Sequence, residues 1–149
     1  YSIMHGSEPS ENEKKAWEKI ESLFNRFNSG DKYVFSVPMW NFGLPYVLKH
    51  YIDLITQPGL AWAFNPESGY SGLVSGKVAV IYATGGEYSA GSQTEAFDLQ
   101  KPAFENWLAF IGLTDVSKIV IAPTLSDPTE VEKTLNSCIE VAEKTAKSF

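Results

Sequence analysis

The sequence is poor in the residues that build cross-links and metal centres. One cysteine, Cys138, leaves no partner for an internal disulfide, and its place in an amphipathic helical pattern makes a reducing compartment, the cytoplasm, the expected setting. The two histidines, His5 and His50, have no carboxylate or second ligand at metal-binding spacing, so no metal is expected. His50 reads as a surface or interface residue within a helix, and His5 as chemically idle. Basic residues are also scarce. Twelve Lys and Arg against 18 Asp and Glu give a net charge of -6, which argues against nucleic acid, whose binding depends on clustered positive charge. No apolar run approaches the ~18 residues a membrane helix requires, and no basic-then-apolar leader is present. Nucleophile elbow, phosphate-binding Walker loop and dinucleotide fingerprint are all missing. The chain opens on Tyr1 rather than an initiator methionine.

What the sequence does contain is apolar surface, at 44% of 149 residues, enough for one globular domain with a substantial core. Three runs are apolar nearly throughout: YVFSV at 33–37, KVAVIYA at 77–83 and KIVIAP at 118–123. Such runs fit strands covered on both faces, as in a parallel sheet between helices. Helical periodicity falls around them. Ser10 and Glu13 have capping-box spacing ahead of Trp17, Ile20, Leu23, Phe24 and Phe27. A second helix is predicted from Pro45 to the Pro58-Gly59 stop, a third over 95–112 and a fourth over 128–147. This alternation predicts an α/β doubly wound domain covering residues 1–149.

In open parallel sheets ligands sit beyond the carboxyl ends of the strands. Two unusual loops fall there, PMWNF at 38–42 and TGGEY at 84–88. Met39, Trp40 and Phe42 offer apolar and aromatic surface, Asn41 can donate and accept, and Gly85-Gly86 lets backbone N–H groups come close to a flat ligand. Together they read as a cradle for a planar ring with polar edges. Taken singly, each has another use: the glycines as a tight turn, the aromatics as core, Asn41 as a helix N-cap.

The stretches VPMWNFGLPYVLKHYIDLI, GLAWAF, GLVSGKVAVIYATGGEY and FENWLAFIGLTDV, in this order and spacing, resemble the flavin-dependent NAD(P)H quinone reductase and azoreductase family of flavodoxin-like proteins. The resemblance covers about residues 31–125. It implies a flavodoxin-like fold, FMN (FAD as second choice), NAD(P)H as electron donor, a quinone or azo acceptor, a ping-pong cycle and a homodimer. By position, Met39, Trp40, Asn41 and Phe42 would form one wall of the flavin site, and Ala83, Thr84, Gly85 and Gly86 the other. Trp62 and Phe64 would line the substrate side, with Trp107 and Phe110 closing the same pocket and Tyr88 relaying a proton or packing. Trp40, where azoreductases commonly have tyrosine, and Ala83-Thr84, where many have Ser-Arg, favour quinone over azo dye. The family's first strand, serine-rich phosphate-binding loop, helix and second strand have no counterpart here, so residues 1–149 are expected to be the three-strand C-terminal portion of a longer fold. Removing those elements would turn YVFSV into an exposed edge. An electron carrier of flavodoxin type, or a flavin-free binding domain, are the competing readings.

Overall fold

The computed structural model describes Gly6 and residues 8–149, so His5 lies outside the described residues. Strands β1 (Lys32–Pro38), β4 (Lys77–Ala83) and β5 (Asp115–Ile121) form a parallel sheet in the order β1-β4-β5. Register runs from Lys32 opposite Lys77 and Asp115 to Pro38 opposite Ala83 and Ile121, so the three strands end level. Level ends matter for function, because they place the two predicted loops side by side.

Alternation along each strand divides the sheet into two faces. Tyr33, Val37, Val78, Val80 and Tyr82 point into a core shared with Phe24 and Phe27 of α1 (Glu11–Asn28), Ile52 and Ile55 of α2 (Tyr46–Ile55), and Phe104, Trp107, Leu108 and Ile111 of α3 (Gln100–Ile111). The opposite face carries Ile81, Ile119 and Ile121 against Leu135, Cys138, Ile139 and Ala142 of α4 (Pro128–Ala146). This second layer is thin. No residue of α4 is buried, and Val34, on the outer strand, is 65% exposed.

Local signals explain the element boundaries. The capping box at α1 is complete, with Glu13 N donating to Ser10 Oγ at 3.3 Å and Ser10 N donating to Glu13 Oε2 at 2.8 Å. The helix expected over 95–112 is divided: a single 3-10 turn spans Glu95–Phe97, and α3 starts at Gln100. The physical reason is Asp98, whose Oδ1 accepts from Gln100 N (3.1 Å) and Lys101 N (3.0 Å) and so starts a new helix in mid-pattern. The last strand begins at Asp115, three residues before the expected apolar run, because pairing with β4 continues beyond it.

A two-stranded antiparallel hairpin, β2 (Trp62–Asn65) and β3 (Gly69–Gly72), adds to the elements that the sequence pattern predicts. Its turn is closed by Asn65 Oδ1, which accepts from Glu67 N at 2.8 Å and Ser68 N at 3.3 Å. The hairpin docks on the end of α3 through two glycines. A Cβ on Gly72 would lie 2.2 Å from Gly112 N, and one on Gly112, which has φ 105°, would lie 2.5 Å from Val74 O.

Candidate active site

The first loop is a tight reversal. Trp40 N donates to Gly43 O and Gly43 N to Trp40 O, each at 3.0 Å, while Asn41 (φ 48°) and Phe42 (φ 67°) both occupy the left-handed region. Two positive φ angles in a two-residue turn define the mirror-image hairpin turn, which ordinarily takes glycine at its second position. A phenylalanine there costs about 1–2 kcal/mol. The turn holds Trp40 at 52% and Phe42 at 48% exposure, with Asn41 exposed between them and Met39 half-buried beneath. Asn41 therefore does not cap α2. That helix has Pro45 at its N-cap and no side-chain cap.

The second loop lies alongside, tied by Met39 N donating to Ala83 O at 2.9 Å. Thr84 is 2% exposed, its hydroxyl donates to Gly86 O at 2.8 Å and its N–H to Ile121 O at 3.1 Å, so it braces the loop from within and offers no polar group to a ligand. The segment after β5 supplies the remaining support. Thr124 N and Oγ1 both reach Thr84 O, at 2.9 and 3.1 Å, and Leu125 N donates to Gly85 O at 3.0 Å. Among the described residues, the N–H groups of Gly85, Gly86 and Glu87 donate to no protein acceptor. Three successive donors at the strand ends, beside exposed rings, suit a flat ligand with an acceptor edge. A Cβ on Gly85 would meet only the tip of the exposed Leu125 side chain, Cδ1 at 2.9 Å, and one on Gly86 would press on the Tyr88 ring at 3.3–3.4 Å, so a small side chain fits at either position after a small shift of its neighbour.

Tyr88 joins the two loops, its ring edge-on to Phe42 at 6.4 Å. Trp62, Phe64 and Phe110 form a separate cluster, in which Tyr70 lies 5.4 Å from Trp62, 5.0 Å from Phe64 and 5.9 Å from Phe110. No ring contact among the described residues links that cluster to Trp40 or Phe42. Trp107 belongs to neither group. It is buried, with Nε1 donating to Thr56 Oγ1 at 2.9 Å, so the expectation that it closes the pocket is corrected: helical phase turns it inward beside Phe104, while Phe110 faces out.

Residues that sequence reading did not single out hold this arrangement. Tyr70 completes the aromatic cluster because pairing across the hairpin sets it opposite Phe64. A cleft of about 880 Å³ beside the second loop is lined by Tyr88, Ser92, Asp98, Lys101, Glu105 and Lys118. Its lysines are already paired, Lys101 with Asp98 and Lys118 with Glu105, which leaves no free cation for an anionic ligand.

The parallel sheet with level strand ends and helices on its faces defines a doubly wound α/β domain, with the two loops side by side where such folds place their ligands. A family model described as flavodoxin-like fold matches residues 2–146, and the chain belongs to that family. The FMN-dependent NADH:quinone oxidoreductase of Desulfotalea psychrophila is 48% identical over 136 residues, covering 91% of this chain and 64% of the relative. The protein of the same description from Nitratidesulfovibrio vulgaris is 41% identical over 139 residues, covering 92% and 66%. Among solved structures, an azoreductase from Bacillus anthracis superposes with a TM-score of 0.89 at 30% identity, over 99% of this chain and 71% of that one. An FMN-dependent NADH-azoreductase from the same species, in complex with FMN, gives 0.84 at 27% identity, over 98% and 69%. The chain thus spans about two thirds of the length of the curated relatives it matches.

Proposed function

We propose that this chain is the catalytic domain of an FMN-dependent oxidoreductase that passes a hydride from NAD(P)H to a quinone and, less readily, to an azo compound. The observation that carries the reading is the row of N–H groups at Gly85, Gly86 and Glu87 that donate to no acceptor among the described residues, on a loop tied beside the exposed Trp40–Asn41–Phe42 turn by Met39 N and Ala83 O. When bound, FMN supplies the redox chemistry, hydride in from the nicotinamide and hydride out to the acceptor. The protein supplies position and charge stabilisation. Trp40 and Phe42 offer ring faces, Asn41 a polar edge contact, and the glycine-pair amides stabilise negative charge at the acceptor edge, as an oxyanion hole does. No side chain needs to act as a nucleophile.

The substrate side follows from the separation of the two aromatic groups. Because Trp62, Phe64 and Phe110 do not meet the cradle within one chain, a homodimer in which one protomer's cluster covers its partner's cradle is the arrangement that lets both serve one ligand. The bare β1 edge and exposed Val34 support two further strands and the helix between them, carrying the phosphate-binding loop, as the elements that complete the sheet. The activities for which the relatives are named, quinone reduction and azo reduction, agree with this reading. Cytoplasmic location fits the lone thiol of Cys138, and no helix among the described residues is long and apolar enough to cross a membrane.

Steady-state oxidation of NADH by the full-length protein, with a benzoquinone at several fixed concentrations, tests the proposal. Parallel double-reciprocal lines are expected, since donor and acceptor use one pocket in turn. Intersecting lines would contradict a shared pocket, and turnover that FMN does not stimulate would contradict the cofactor.

A further inference from the structure

The 40–43 turn holds two non-glycine residues in the left-handed region, and its own side chains make none of the bonds that fix it. The constraints come from neighbours. Met39 N reaches Ala83 O at 2.9 Å, Leu99 N donates to Phe42 O at 3.0 Å, and Gln100 Nε2 donates to Val37 O at 2.8 Å, just before the loop departs from β1. Two of these three come from the start of α3.

Gln100 is unusual in its setting. It lies on the inward stripe of α3 with Phe104, Trp107, Leu108 and Ile111, is 0% exposed, and among the described residues its Oε1 has no hydrogen-bond partner. A buried amide that uses one of its four possible hydrogen bonds is a poor packing choice, so its donor bond must offset that loss. The position of that donor is itself well determined. Asp98 Oδ1 caps the Gln100 and Lys101 N–H groups, and the Asp98 carboxylate is held by the Lys101 ammonium.

We infer that Gln100 is a positioning residue for the cradle: by gripping the Val37 carbonyl while Leu99 grips Phe42, the first turn of α3 holds the Trp40–Asn41–Phe42 turn in its strained, ligand-ready form. The inference rests on the flavin reading for its consequence but not for its geometry, and the two can fail separately. Leucine at 100 fills similar space without a donor. Glutamate keeps the shape, and its protonated carboxyl can donate to Val37 O, whereas the ionised form cannot.

The test uses full-length protein. Amide hydrogen exchange at Gly43 and Leu99 is measured without flavin, and FMN affinity by quenching of flavin fluorescence. For Gln100→Leu, exchange at both amides should accelerate and FMN binding weaken by about five- to tenfold, with β4 amides unchanged. For Gln100→Glu, FMN affinity should approach the parent's at low pH and fall as pH rises, a profile the parent does not share. Exchange and affinity both within about twofold of the parent in Gln100→Leu overturn the inference. Should that variant not fold, a flat Gln100→Glu profile overturns it. If the parent takes up no FMN, the flavin reading fails, and exchange at Gly43 and Leu99 alone decides the role of Gln100.

Discussion

At the scale of single residues, the site is built from positions that compromise stability for presentation. Phe42 is the sharpest case, since its left-handed backbone would be met without strain by glycine. Phe42→Gly should stabilise the flavin-free protein by about 0.5–1 kcal/mol, raising the thermal midpoint by roughly 2–4 °C, while weakening FMN binding through loss of the ring. A lower midpoint would mean that packing of Phe42 on Phe97, 5.7 Å away, outweighs the backbone strain. Gly85 makes a second test. A branched side chain there crowds the backbone N–H groups of the loop, with only the exposed Leu125 side chain to displace, so Gly85→Val should weaken FMN binding by more than about tenfold with the fold intact. Full flavin occupancy in Gly85→Val would remove this loop from the site.

At the scale of elements, the hairpin β2–β3 and the end of α3 act as one unit through glycines in near backbone contact. The Cβ of Gly72→Ala would meet Ile111 C and Gly112 N at 2.2 Å, with no flexible side chain to yield. Loss of more than about 2 kcal/mol of stability, or detachment of the hairpin with rapid proteolysis near Pro66, is expected in denaturation and limited-digestion experiments. An unperturbed melt would show that the contact relaxes freely. Trp62→Ala with Phe64→Ala tests what the hairpin is for: quinone turnover per unit KM should fall roughly ten- to a hundredfold with flavin content unchanged. Legibility in the sequence followed the same division. The three parallel strands and α1, α2 and α4 were readable because each signal is local: an apolar run, a capping box, a helical stripe. The hairpin was not, since its four-residue strands expose most of their side chains and owe their place to Gly72 meeting Gly112, forty residues on. The pairing of the two strand-end loops was legible, but the inward turn of Thr84, the burial of Trp107 and the role of Gln100 were not, all consequences of packing that one-dimensional spacing does not encode.

At the scale of the whole molecule, three features leave apolar surface uncovered among the described residues: the β1 edge, the thinly covered α4 face and the aromatic cluster of Trp62, Phe64, Tyr70 and Phe110. Sedimentation equilibrium of the full-length protein at micromolar concentration should give a dimer, and a monomer with full turnover would contradict shared pockets. The central claim, however, is that the two strand-end loops hold a flavin, and the most direct measurement is a titration of the purified full-length protein with FMN. The account predicts saturable quenching of flavin fluorescence at one flavin per chain, a structured absorbance band at about 450 nm that stays with the protein through gel filtration, and loss of both in Gly85→Val. FMN that elutes free of the protein, or binding that Gly85→Val leaves untouched, would contradict it.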